Sequence, residues 1–506
     1  ESRRIWEEIE EEFGASELMF VSFGEEGKSA FRSEVFATLW DLTESLEAKP
    51  SIIEVLSIAS TSRMDSENGF MEVGELQSNR DLSQHELLDI KEYLDRNPDL
   101  SSRFISKSGE YMSLAIRPKD GDDVLEFTKQ ALDITKPLLS NYSVHYAGNS
   151  YITGVVPEIV KEDVSKLMGI GIIIMVVMLL ANLRNISAVG MVLLVIIMSM
   201  LSMLGSMGWI FHLTKIEYFN FTMMNTSMPI VLLTIANSDG VHFLTRFFRE
   251  LRKKRDVRLA VETSLDALFM PIFLTSLTTS IAFLTLISSP INHMMGYGVA
   301  FAFGILWAWI LSVLLLPSII LLKKWNLNSN SIMKSGYLER WTELLGKNIL
   351  KYPRKVLLMG SLLVFLVSFG LWKVTVEVNV VKFFKPGNPI RESTEFIDRE
   401  STGSMNLLLK CSGDMKDPEV LNEMLLVQEQ TESYPRSNMS ISIADVIKQM
   451  HRVIMDDEPE FETIPKSRGK GNNLFTMYSM SGDPDDFSAL VDYDYETGLI
   501  TAMLNS

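Results

Sequence analysis

The 506-residue chain is 47% hydrophobic yet carries a formal net charge of −17, a mixture that neither a single soluble domain nor a purely membrane-embedded one shows. The acidic balance, with no basic stripe outside short connecting loops, argues against nucleic acid as a partner. One cysteine, Cys411, excludes an intramolecular disulfide framework, and no CxxC or Cys/His cluster points to zinc or another cofactor.

Apolar and acidic residues are segregated along the chain. Residues 1–165 form a first water-facing domain that reads as alternating strands and helices. "ELMFVSF" (17–23) suits a strand, "FRSEVFATLWDLTESLEA" (31–48) has apolar residues at helical spacing, and "IIEVLSIAS" (52–60) suits a second strand. After a polar loop the pattern recurs as "YMSLAIRP" (111–118), a helix over about 122–139 and "YSVHYAG" (142–148). Two β-α-β units predict an α+β fold of ferredoxin-like type. No signal peptide precedes the acidic helix "SRRIWEEIEEEF", so a further span upstream is expected to export this domain.

Six apolar runs follow, at roughly 166–183, 188–212, 221–245, 267–288, 294–322 and 356–373. Each is close to the about 20 residues that cross about 30 Å of hydrocarbon. The first five make a transmembrane bundle over 166–322, residues 323–355 a linker, and 356–373 a span leading into a second acidic domain over 374–506. Arg184, the run "RFFRELRKKRDVR" (246–258) and the Lys and Arg of 323–355 all fall on one side of the membrane. The positive-inside rule makes that side cytoplasmic and sends both acidic domains outward, from a cytoplasmic (inner) membrane into the periplasm or exterior.

An internal repeat organises the chain. "GASELMFVSF" from Gly14 resembles "GSMNLLLKCS" from Gly403, "PSIIEVLSIAS" from Pro50 aligns with "PRSNMSISIAD" from Pro435, and "GEYMSLAIRP" from Gly109 meets "GLITAMLNS" from Gly498. The near-constant offset predicts a parallel two-half membrane protein, with five further spans expected beyond residue 506.

Three segments carry a resemblance to a known family. "LTSLTTSIAFLTL" (274–286) is similar to a Thr/Ser-rich fifth helix, "YGVAFAFGILWAWILSVLLLPSIILL" (297–322) to a sixth helix with early small residues and a late Leu-Pro, and "NSDGVHFLTRF" (237–247) to an Asp-bearing fourth helix. Together with the layout of domains and spans, they resemble the resistance-nodulation-division superfamily, in its MMPL-like predicted-exporter branch with sterol-sensing-type membrane helices. Relatives with Gly four positions before the acid and Tyr after it differ from this chain, which has Ile235 and Gly240 there.

The resemblance implies a proton-motive-force-driven exporter of lipid-like or other hydrophobic molecules. Its partners would be membrane lipids, the hydrophobic cargo and protons, with a homo-oligomer or periplasmic partner left open. The residues add a physical argument. An ionised carboxylate near mid-membrane costs about 2.5–3.5 kcal/mol on insertion scales, so Asp239 must be protonated, paired or turned toward a water-filled interior. Helical spacing puts Ala236, Asp239, His242 and Phe243 on one stripe, with Arg246 a turn further toward the cytoplasm. Asp239 and His242 are therefore the expected proton relay; Asn237, Ser238, Thr275, Thr278 and Thr279 are candidates for a polar path; Arg246 reads as a cytoplasmic anchor. The alternative for the acid is a polar pair that locks two helices together.

The Gly296, Gly298, Ala300, Ala302 and Gly304 series reads as a close-packing face. No GxxxxGK[ST] loop suggests nucleotide hydrolysis, and the remaining histidines adjoin no nucleophile motif, so no enzyme is expected. Two other functions compete with export: a sterol-sensing-type lipid receptor that does not transport, and an accessory to protein secretion.

Overall fold

A computed structural model describes residues 2–13, 18–67, 70–119, 121, 123–327, 337–376 and 379–506. Residues 14–17, which open the first predicted repeat match, residue 122 of the predicted helix and 328–336 of the linker lie outside the described residues. The chain is mostly helical with small sheets. It divides into two compact units: residues 1–156 with 376–506, and residues 157–375.

The unit built from the two ends of the chain, called outer for that position in the sequence, begins with α1 (Ser2–Phe13), β1 (Met19–Gly24), α2 (Ser33–Glu47) and β2 (Ile52–Leu56). Next come a hairpin, β3 (Ser62–Glu67) and β4 (Phe70–Glu75), and two short helices, α3 (Gln84–Arg96) and α4 (Pro98–Phe104). Ser83 and Glu86 close a reciprocal capping box on α3, satisfying two otherwise orphaned N–H groups. β5 (Tyr111–Pro118), α5 (Val124–Leu138) and β6 (Ser143–Ala147) complete the segment. Its four-stranded sheet runs β2-β5-β1-β6, all antiparallel. Val21 and Phe23 of β1 are fully buried, as are Val35, Phe36, Leu39, Leu42 and Leu46 of α2, so each element contributes the apolar set its period predicts. The predicted strands and helices form within a few residues of their expected bounds. The polar loop between them is instead the β3–β4 hairpin followed by two helices.

The second unit is helical: α6 (Asn149–Leu183), which starts in the outer unit, α7 (Ile186–Thr214), α8 (Met228–Lys254), α9 (Val257–Leu284), α10 (Asn292–Leu322), α11 (Tyr337–Lys351) and α12 (Pro353–Ser368). Among the described residues five helices are long and apolar enough to cross a membrane: α6, α7, α9 and α10, and α12 with its 3-10 extension to Lys373. The third predicted run, 221–245, is the helix α8, which begins at Met228 rather than 221 and is not among those five. Its last turns carry Arg246, Arg249, Glu250, Arg252, Lys253 and Lys254, which lower its mean hydropathy.

The core of this unit lies where α7, α8, α9 and α10 meet, with Val192, Leu232, Ala236, Phe243, Phe301 and Ile305 buried. The small residues of α10 are all buried, but they serve different neighbours rather than one. A Cβ on Gly296 would stand 1.8 Å from the Tyr218 carbonyl oxygen, and one on Gly304 would stand 2.9 Å from Met203 Sδ. By contrast, α12 buries no residue.

The chain returns to the outer unit through α13 (Pro389–Glu400), β7 (Met405–Ser412), α14 (Pro418–Glu432), β8 (Ser437–Ile441), α15 (Ile443–Ile454), α16 (Arg468–Ser481) and β9 (Thr497–Leu504). The sheet order β7-β9-β8 reproduces β1-β5-β2, again antiparallel. Even the irregularity repeats: register slips between Ile52 and Glu54 in β2 and between Ser437 and Met439 in β8. Cys411 is half-buried in β7.

Candidate functional site

The helix α8 carries its polar residues on a helix otherwise packed by Leu232, Ala236, Phe243 and Phe247, all buried. Ala236 and Gly240 keep this face thin: a Cβ on Gly240 would already touch Val192 of α7 at 3.3 Å. Asp239 is drawn inward with them and is 9% exposed. Its Oδ2 accepts a hydrogen bond of 3.2 Å from Ser276 Oγ of α9. A hydroxyl can donate to the carboxylate and can equally accept from the protonated acid, so this contact serves both charge states.

Asp239 opens onto a notch of about 420 Å³ between α8 and α9, closed on one side by Ile305 of α10. Ser238 and His242 line it from α8, and Pro271, Thr275, Ser276 and Thr279 from α9. Pro271 has no N–H to give the carbonyl one turn earlier, so α9 lacks one backbone hydrogen bond in the wall of the notch. The Thr275 and Thr279 hydroxyls are turned back onto their own helix, donating to the Ile272 and Thr275 carbonyls at 2.8 and 2.7 Å. They can receive a further hydrogen bond, but donating one first requires breaking the present bond.

Most of the predicted site thus converges: Asp239, His242, Ser238, Thr275 and Thr279 share one recess. His242 lies at its exposed rim rather than on the buried stripe, and among the described residues no hydrogen bond joins it to Asp239. Two predicted residues fall elsewhere. Thr278 is exposed and bonds the Leu274 and Thr275 carbonyls, while Asn237 does not line the notch and keeps a buried Oδ1 with no partner among the described residues. Arg246 pairs with Glu250 at 3.2 Å, and Glu250 is only 4% exposed. Sequence reasoning did not single out Glu250; its i,i+4 spacing from Arg246 was the available signal. Nor did it distinguish Ser276 from the neighbouring hydroxyls, because which hydroxyl faces Asp239 depends on how α9 is rotated against α8.

A model of the MMPL family matches residues 1–356, covering the first outer segment and the helical bundle that holds the notch. The chain belongs to the MMPL family. It is a multi-pass membrane protein, as the apolar helices of this MMPL-family chain require. A relative named "Putative membrane protein MJ1562", from Methanocaldococcus jannaschii, is 26% identical over 102 residues. That match covers 20% of this chain and 26% of the relative.

Proposed function

We propose that this MMPL-family protein is a secondary exporter of lipid-like molecules across the cytoplasmic membrane, driven by protons that Asp239 takes up and releases. The observation that carries the reading is a buried carboxylate, hydrogen-bonded to Ser276, at the back of an accessible notch. A carboxylate held only as a structural lock would be enclosed with a cationic partner. Asp239 has an uncharged hydroxyl and open space, the environment in which a proton can arrive and leave. Each proton moving with the membrane potential supplies about 2.3 kcal/mol per 100 mV, enough over a few charges to drive a conformational cycle. His242 at the rim would pass protons between the notch and water.

In this reading the outer unit is extracytoplasmic, in keeping with the basic connections at Arg184, 246–258 and 323–324. The β2-β5-β1-β6 sheet with its two β-α-β crossings then acts as a ferredoxin-like porter domain, with the β7-β9-β8 sheet as its repeat. The test is flux in proteoliposomes under an imposed pH gradient, comparing the whole protein with its Asp239→Asn form. Export predicts proton-coupled flux in the first and background in the second; equal flux in both would eliminate the carboxylate as carrier.

A further inference from the structure

An asparagine followed two residues later by serine or threonine is the acceptor pattern for sugar attachment through the side-chain amide. The sequence holds five such triplets, at Asn141, Asn185, Asn220, Asn225 and Asn438. So short a pattern also recurs by chance, and the sequence does not choose among them. Attachment requires one enzyme to reach both the amide nitrogen and the hydroxyl two residues on, with neither held in the fold.

Four of the five triplets fail that requirement. Asn438 lies in β8, where its Nδ2 donates to the Thr402 carbonyl at 2.8 Å and to Asn505 Oδ1 at 2.6 Å. Its partner Ser440 is buried and donates to Glu432 at 2.7 Å. Asn225 is fully buried, and its Nδ2 donates to the Asn220 carbonyl at 2.9 Å. Asn220 is exposed, but the hydroxyl of Thr222 is buried. Asn185 caps α7 by accepting from the Ala188 N–H at 3.0 Å, and it adjoins Arg184 on the side that the positive-inside rule makes cytoplasmic.

The triplet Asn141-Tyr142-Ser143 differs. It forms the turn from α5 into β6, closed by the Tyr142 N–H donating to the Leu139 carbonyl at 3.0 Å. Tyr142 points inward: its ring meets Phe23 edge-on at 5.4 Å, and its hydroxyl lies 3.3 Å from Thr38 Oγ1 of α2. Side chains alternate as the chain enters a strand, so Asn141 and Ser143 turn outward together. Both are exposed, and among the described residues neither side chain has a hydrogen-bond partner.

We propose that Asn141 is an N-glycosylation site. The proposal rests on the reading that sends the outer unit out of the cytoplasm, but not on export or on Asp239. Transfer forms a bond between Asn141 Nδ2 and the anomeric carbon of the first sugar, and breaks that carbon's bond to the phosphate of a lipid-linked sugar donor. The phosphate leaves with the bonding electrons, and one amide proton passes to a base of the transferase. A glycan at this turn extends into water and displaces no packed side chain.

The whole protein is purified from the membranes of its native cell and digested, and its peptides are sequenced by mass spectrometry. Asn141 should carry added mass in whole sugar residues, whereas Asn185, Asn220, Asn225 and Asn438 should carry none. Ser143→Ala should remove the added mass and Ser143→Thr should keep it, while Asp239→Asn leaves it unchanged even where flux is lost. A bare Asn141 in the unaltered protein would overturn the proposal. So would sugar on Asn225 or Asn438, or sugar on Asn141 that persists in Ser143→Ala. Intact cells carrying Asn141→Cys in a Cys411→Ser background are also treated with a membrane-impermeant maleimide. Labelling of intact cells alongside a bare Asn141 overturns glycosylation alone; labelling only after lysis overturns the outward reading with it.

Discussion

The notch around Asp239 and a cavity around Arg103, between the two sheets of the outer unit, both hold a charged group in apolar surroundings, but they are built by opposite means. The notch comes from two consecutive helices, with Asp239 and Ser276 37 residues apart. The cavity takes Phe20 from near the start of the chain and Met503 from near its end. In the first, helical period alone turns the acid toward its neighbours. In the second, each wall is an ordinary strand face, and the arginine is enclosed only where two distant sheets meet. The comparison teaches that a charge placed by local periodicity is visible as an anomaly in its own segment, whereas one placed by long-range assembly looks like any surface residue.

Several changes would break or sharpen this contrast. Asp239→Asn should have the largest effect, reducing gradient-driven flux in proteoliposomes to background while thermal unfolding stays close to that of the unaltered protein. Gly296→Ala forces a methyl group to within 1.8 Å of the Tyr218 carbonyl oxygen. It should destabilise the helical unit by about 1–3 kcal/mol or more, seen as a lowered Tm in detergent. Gly346→Ala in the exposed helix α11 meets nothing within 4 Å, and should be neutral or stabilising by about 0.5–1 kcal/mol. If both alanines behave alike, close packing of α10 is not what shapes the bundle.

Arg452→Met tests the long-range assembly. Arg452 is 7% exposed and donates to Asp457 at 2.9 Å, Glu462 at 3.0 Å and, across the two outer segments, Asn97 at 2.6 Å. Losing it leaves Asn97 Oδ1 without its strongest partner and should cost about 2 kcal/mol in chemical denaturation of the outer unit. Ser276→Ala should slow proton-driven flux about fivefold without abolishing it, the value of one hydrogen bond of about 1 kcal/mol. A loss as complete as that of Asp239→Asn would mean that the hydroxyl carries protons rather than positioning the acid.

The smallest effect concerns His145, which stacks on Phe396 at 3.8 Å. Burial, aided by Arg399, lowers its pKa below the usual 6.5. As pH falls below about 6.5 the unfolded chain binds a proton that the native state resists, so the outer unit should lose stability toward acid. His145→Phe keeps the stack and should flatten this part of the Tm-against-pH curve; an unchanged curve would assign the slope to other groups.

The repeat was legible because matching strands kept matching turn residues: the segments opening at Pro50 and Pro435 become β2 and β8, with the same register slip. The β3–β4 hairpin was not legible. Its apolar side is carried by the few residues Met64, Met71 and Val73, and they are covered by the second segment's core, including Ile447, Met450 and Phe475. A hairpin with so few apolar residues, covered by a core hundreds of residues away, shows too little alternation to be told from a loop.

From its sequence alone the chain declared its apolar helices, its doubled β-α-β pattern and an acid out of place among greasy residues. Those properties follow from the period of 3.6 or 2 residues and from the cost of burying charge, and both act within a single segment. Tertiary structure alone decided that Ser276, rather than His242 or Arg246, bonds Asp239, that Thr278 faces away, and that Arg103 lines a cavity between two sheets with no ion pair among the described residues. Each of those outcomes depends on the rotation and register of one element against another, which no segment encodes by itself.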